Sequence, residues 1–209
     1  MGSPRSFIVH AHFYQPSRED PLTNEVPRES GAHPYNDWNE KIYQTCYLPN
    51  LDIGNFSRIS FNLGPTLTRW MRKNHPEAIE RIVDADHESL RQTGQGNAIA
   101  QPYHHTILPL ATSTEKRLEI HWGIQDFVHT FGRRPEGMWL PEAAVDLETL
   151  CLMAEHGIKF TILAPWQVES TNEANTPYII DLPGGRNIVI FTYSTEISSR
   201  ASFDEIATS

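Results

Sequence analysis

Along this chain, short apolar runs alternate with stretches in which apolar residues recur every three or four positions. The first run, residues 7–12, is β-branched at its start and is closed off by Pro16, which predicts a short buried strand. A second strand is predicted over 58–61, ending at Asn62-Leu63-Gly64-Pro65. Leu67, Trp70 and Met71 at i, i+3, i+4 spacing then predict a helix. Pro76 opens a longer amphipathic helix carrying Ile79, Ile82, Val83 and Leu90 and stopped near Gly94 and Gly96. A third strand is predicted over 97–100, and Ser113 or Thr114 caps a helix that ends at Gly132. Residues 136–140 form the fourth predicted strand. Asp146 caps the next helix, whose Leu147, Leu150, Cys151 and Ala154 share a stripe ending at Gly157. The fifth strand is predicted over 159–163, and 177–193 read as a hairpin around Pro183-Gly184-Gly185. Residues 16–36 lack any period and read as a long functional loop or insertion. The last segment, from Ser202, begins like a helix.

Strand and helix in alternation argue an α/β fold with parallel strands. The 209 residues suffice for one sizeable domain or a large piece of one, with residues 1–6 expected to be disordered and 7–209 to form the domain. A hydrophobic content of 39% excludes a wholly disordered chain. No apolar run approaches the roughly 20 residues of a membrane span, and the first residues lack the pattern of a secretory signal. Two cysteines, Cys46 and Cys151, are too few for a disulfide framework and lack paired metal spacing, so a cytoplasmic setting is expected. The formal charge of −9, with scattered basic residues, argues against nucleic acid as a partner. Neither a phosphate-cradling loop nor a dinucleotide fingerprint occurs, and no cofactor is expected.

In parallel α/β folds ligand groups gather where strands end. Four clusters fall there: His10-Ala11-His12 with Gln15, Gln101 to His105, Trp139 to Glu142, and Leu163 to Trp166. His10 and His12, two apart on a strand, share a face. They are open to three readings: core histidines held by carbonyls, hydrogen-bonding groups for a ligand, or metal ligands completed by His104 or His105. Gln15 supplies a donor and an acceptor suited to a hydroxyl-rich ligand. Glu142, behind Trp139-Leu140-Pro141, could serve as nucleophile or general acid–base, or simply as a first-turn glutamate. Tyr14, Trp38, Tyr103, Trp139 and Trp166 offer flat faces for sugar rings, or core packing.

His10-Ala11-His12-Phe13-Tyr14-Gln15-Pro16 resembles the H-x-H-Q-P signature that opens glycoside hydrolase family 57, here with two extra residues before the glutamine. Gly137-Met138-Trp139-Leu140-Pro141-Glu142 resembles that family's W-L-x-E block, and residues 94–110 resemble its second block, in a subgroup with an uncharacterised C-terminal region. The resemblance implies an incomplete (β/α)7 barrel, truncated here at the C-terminus, and retaining chemistry on α-glucans or related α-glycosides. It implies Glu142 as nucleophile, with His10, His12, Gln15 and His104 hydrogen-bonding the sugar of an α-glucan or oligosaccharide, Trp139 lining the same pocket and no metal; Tyr103 and Trp166 join the expected substrate contacts as aromatic faces. The family's acid is an aspartate on a later strand, and Asp146, Glu169, Glu196 and Asp204 do not sit in its motif, so the 209 residues alone are expected to be inactive. Where the subgroup has Y-D-G, Tyr193-Ser194-Thr195 stands. Two other readings remain: a non-catalytic carbohydrate-binding module, and a metal-dependent hydrolase or deacetylase using His10 and His12. Subunit number is left open by the sequence.

Overall fold

The computed structural model describes residues 6–169 and 176–203. The expected disorder of residues 1–6 and any role for Asp204 thus fall outside the described residues, Ser6 apart. In chain order the elements are β1 (His10–Phe13), α1 (Trp38–Ile42), α2 (Leu48–Asp52), β2 (Ser60–Leu63), α3 (Pro65–Asn74), α4 (Pro76–Thr93), β3 (Ala98–Ile99), α5 (Ser113–Phe131), α6 (Leu147–Glu155), β4 (Phe160–Leu163), β5 (Tyr178–Leu182), β6 (Arg186–Thr192) and α7 (Thr195–Phe203). They group into two compact units: Met1–Ile99 with Asp126–Arg133, and Ala100–Gln125 with Arg134–Ser209.

The first unit is built on a parallel sheet in the order β1-β2-β3, with His12 opposite Asn62 and Asn62 opposite Ile99. Parallel pairing requires crossovers, and α3 and α4 supply the one between β2 and β3. Pro65 and Pro76 occupy first-turn positions where a missing N–H costs nothing, and Gly94 ends α4 in the left-handed region at φ 77°. Phe56, Phe61, Leu67, Met71 and Ile82 are fully buried. Phe61 stands edge-on to Phe56 at 5.0 Å and lies 6.2 Å from Phe131. A buried Asp86 carboxylate completes this unit: Arg133 grips it through Nε and Nη2 at 2.8 Å each, and the Ala98 N–H donates to it at 2.8 Å.

In the second unit the sheet runs β4-β6-β5, with β4 parallel to β6 and β5 antiparallel to it. The hairpin predicted over 177–193 is β5 and β6, turning at Gly184 and Gly185, both left-handed. Asp146 caps α6 as expected, its carboxylate accepting from the Thr149 N–H at 2.8 Å.

Four expectations need correction. Residues 7–9 are not buried: Phe7, Ile8 and Val9 are 73%, 67% and 47% exposed, because regular pairing begins only at His10 and, among the described residues, β1 pairs with β2 alone. The strand predicted over 136–140 is reduced to parallel bridges, Gly137 to Phe160 and Ala100 to Met138. The last helix begins at Thr195, not Ser202. Finally, residues 38–52 are helical throughout, with a π-helical stretch at Tyr43–Tyr47 between α1 and α2, where no helix was predicted.

Candidate active site

At the end of β1, alternation turns Phe13 into the core and sends His10 and His12 to the other face. There they meet across one side chain, the fully buried Asn62 of β2. His10 Nε2 lies 3.2 Å from Asn62 Oδ1 and His10 Nδ1 3.0 Å from Ser60 Oγ. His12 Nδ1 lies 2.9 Å from Asn62 Nδ2 and 3.1 Å from its Oδ1. Burial lowers the His10 pKa from 6.5 to about 4; the Asn62 hydrogen bond opposes the shift and His12 adds to it. At neutral pH His10 is therefore an uncharged imidazole. One of its nitrogens must donate and the other accept, which suits the Ser60 hydroxyl on one side and the Asn62 amide on the other. The exposed His12 ring stacks on Tyr14, with centroids 6.0 Å apart and planes at 10°. Gln15 is buried; its Nε2 donates to the Tyr47 hydroxyl at 3.3 Å and its Oε1 accepts from Arg18 at 3.3 Å. Arg18 in turn reaches Glu29 and Asn39, so the aperiodic stretch after β1 is tied down by a polar network.

In the second unit, the bridge between Ala100 and Met138 sends two loops out from neighbouring parallel segments. One starts at Gln101, the other at Trp139, whose N–H donates to the Ala100 carbonyl at 2.8 Å. The first loop is pressed against α5. Gly123 permits this, for a Cβ there would lie 2.0 Å from the Gln101 carbonyl oxygen. The close approach lets the Tyr103 N–H donate to the Glu119 carbonyl at 3.2 Å. The buried Glu119 carboxylate takes the His104 N–H at 2.8 Å and His104 Nδ1 at 2.6 Å. Tyr103 and Trp122 flank that imidazole edge-on, at 4.7 and 6.0 Å. His105 adopts φ 59°, a region costly for any residue with a Cβ. Burial holds its imidazole below the ordinary pKa, and the Glu142 carboxylate opposes that shift, so the two side chains share a local field.

The second loop delivers Glu142. Its carboxylate is exposed, on a short turn Pro141–Ala143 closed by the Ala143 N–H to the Leu140 carbonyl at 2.9 Å. Both Glu142 (φ 55°) and Ala143 (φ 53°) are left-handed. Two successive non-glycine residues there store of order 1–3 kcal/mol each, a cost characteristic of functional turns. Trp139 is half-buried three residues earlier. Trp166, at the end of β4, is 70% exposed and meets Tyr193, just past β6, edge-on at 6.1 Å. Asp146 is occupied by Lys116 at 2.6 Å as well as by its helix cap.

Within its own unit, part of each expected group is thus brought together: His10 with His12 over Asn62, and Tyr103 with His104. Sequence reasoning missed Asn62 and Glu119, both buried polar residues. Asn62 was legible as the polar residue ending the second strand, whereas Glu119 gave no signal beyond an acidic helix position.

The sequence profile of glycosyl hydrolase family 57 matches residues 6–206. Alpha-amylase 1 of Dictyoglomus thermophilum is 26% identical over 129 residues, covering 59% of this chain and 18% of that protein. Among solved structures, an exo-type maltose-forming amylase from Pyrococcus sp. ST04 superposes with a TM-score of 0.74 at 16% identity, over 94% of this chain and 36% of that one. The 4-alpha-glucanotransferase of Thermococcus litoralis gives 0.71 at 19% identity, over 96% and 29%. The chain therefore shares its fold with part of these enzymes and spans about a fifth of the length of the amylase it matches in sequence.

Proposed function

Because this chain belongs to glycosyl hydrolase family 57, we propose that it carries the nucleophile of a retaining enzyme acting on α-glucans or related α-glycosides, and that the nucleophile is Glu142. The observation that supports this most directly is the strained turn that presents Glu142 at the end of the Gly137–Met138 bridge segment. In retention, one carboxylate attacks the anomeric carbon and a second carboxyl, about 5–5.5 Å away, protonates the leaving oxygen. In this reading that acid belongs to a later strand of an incomplete (β/α)7 barrel. Within the first unit His10 and His12 are assigned to hydrogen-bond sugar hydroxyls; within the second, His104 is assigned the same role and Tyr103, Trp139 and Trp166 are assigned as glycan contacts. Gln15 is assigned to hydrogen-bond the sugar as well, its carboxamide oriented by Tyr47 and Arg18. Hydrolysis and transfer differ only in whether water or a sugar hydroxyl opens the glycosyl–enzyme, and relatives named as amylase and as glucanotransferase represent both outcomes.

The test uses a donor whose departure needs no acid. With 5-fluoro-α-D-glucosyl fluoride, a Glu142 carboxylate oxygen bonds to the anomeric carbon as fluoride leaves with the bonding electrons. The ring fluorine then slows hydrolysis of the ester. The expected result is one glycosyl unit added per chain and mapped by peptide mass to Glu142, with none on Glu142→Gln. A label on another residue, or no label, refutes the assignment.

A further inference from the structure

The loop after β4 reaches back to the strained turn. Ala164 continues the strand in an extended conformation, and Pro165–Gln167 form a single 3-10 turn closed by the Gln167 N–H to the Ala164 carbonyl at 3.0 Å. That turn folds the Gln167 side chain onto its own loop, where Oε1 accepts from the Ala164 N–H at 2.8 Å. The other end of the carboxamide, Nε2, donates to the Ala143 carbonyl at 2.7 Å. A backbone N–H can only donate and a carbonyl only accept, so one orientation of the amide satisfies both contacts. The carboxamide thus bridges the loop ending β4 to the residue directly after Glu142.

We propose that Gln167 is a positioning residue for Glu142: it holds the left-handed Glu142–Ala143 turn in the conformation that aims the carboxylate. A left-handed pair without glycine relaxes to ordinary backbone geometry unless its surroundings over-determine it. The internal hydrogen bonds of the turn, from Ala143 N–H to Leu140 and Ala144 N–H to Pro141, also form in right-handed turns and do not select the left-handed one. The Gln167 contact falls on the peptide carbonyl of Ala143, whose direction changes when φ and ψ of the pair change. A side chain that reads a carbonyl's direction is therefore suited to fix it. The inference rests on Glu142 being the nucleophile, and its test separates the two claims.

Gln167→Glu keeps the side chain's shape and its acceptor for Ala164 but sets a carboxylate against the Ala143 carbonyl. Gln167→Ala removes both contacts. With the same fluoride donor, saturation kinetics of labelling yield a maximal rate and a half-saturating concentration. Both variants are expected to lower the maximal rate by roughly 10- to 100-fold, the scale of a misplacement of about 1 Å, with half-saturation unchanged within about twofold. Adding Ala143→Gly to Gln167→Ala should recover part of the rate, since glycine holds φ near 53° without the Cβ penalty. An unchanged maximal rate, or a loss appearing equally in half-saturation, overturns the proposal. If the wild-type chain takes no label at all, the nucleophile assignment fails. The brace is then judged by amide hydrogen exchange. Gln167→Glu should speed exchange at Ala143 and Ala144 roughly tenfold or more, with α6 amides unchanged, and equal exchange overturns it.

Discussion

Acid should weaken this chain through His10. The perturbation is a pH drop from 8 to 5, which enters the window between the ordinary histidine pKa of 6.5 and the value of about 4 that burial beside Ser60 and Asn62 imposes. In that window the unfolded chain binds a proton at His10 and the folded chain does not. Stability from this site is thus fully present above 6.5 and is lost as pH falls toward 4. At pH 5 the unfolded form is stabilised by protonation about thirtyfold and the folded form hardly at all, which amounts to about 2 kcal/mol, rising to about 3 kcal/mol below pH 4. Urea unfolding of wild type and His10→Gln at both pH values isolates the effect, because every other titrating group is common to the two chains. The stability difference, wild type minus variant, should fall by about 2 kcal/mol between pH 8 and pH 5. A difference independent of pH, or an NMR titration of His10 with a midpoint near 6.5, would refute the reasoning.

Other perturbations have equally direct readings. Asp86→Ala removes the carboxylate partner of the Arg133 guanidinium, which keeps its bond to the Ala98 carbonyl, and leaves the Ala98 N–H unpaired; it should cost about 3–5 kcal/mol in chemical denaturation. A loss under about 1 kcal/mol would show the pair to be dispensable. Gly123→Ala puts a methyl on the Gln101 carbonyl and should cost about 1–3 kcal/mol, with faster amide exchange at Tyr103 as α5 backs away. Unaltered exchange at Tyr103 would mean that the loop does not depend on that approach. Chelation should leave melting and labelling unchanged, since among the described residues no three His, Cys, Asp or Glu side chains converge on a metal position. A loss on chelation that zinc reverses would revive the metal reading of His10 and His12.

Where local preference and tertiary environment agree, the structure could be read from the chain. The helices starting at Pro65, Pro76 and Leu147, the last capped by Asp146, and the hairpin at Gly184-Gly185 carry start and stop residues whose physics is local. Where burial depends on a partner strand, periodicity misled: residues 7–9 are as apolar as a core strand, yet apolarity does not supply a neighbour to cover them. The stretch 38–52 was illegible for another reason. Its buried residues, Asn39, Tyr43, Tyr47 and Leu51, are spaced by four throughout. An α-helix drifts off such a stripe within two turns, whereas the wider π turn at Tyr43–Tyr47 keeps it facing inward, and the polar Asn39 disguises its start.

The candidate site divides along the same line. Residues placed by strand alternation could be paired in advance: His10 and His12 share a face because the period of a strand is two, and they meet over Asn62 because the register sets Asn62 opposite His12. Glu142 could be placed at a segment's end but not in its conformation, since sequence preference for the left-handed region favours glycine and asparagine. What holds the turn lies 24 residues away in Gln167, beyond any local signal. A position where the chain defies its own local preference needs an outside hold, and that hold is visible only once the fold has brought the two segments together. For Glu142 the consequence is concrete. Its reactivity should depend on a residue that never touches the sugar, and should be more sensitive to Gln167 than to the exposed aromatic Trp166 beside it.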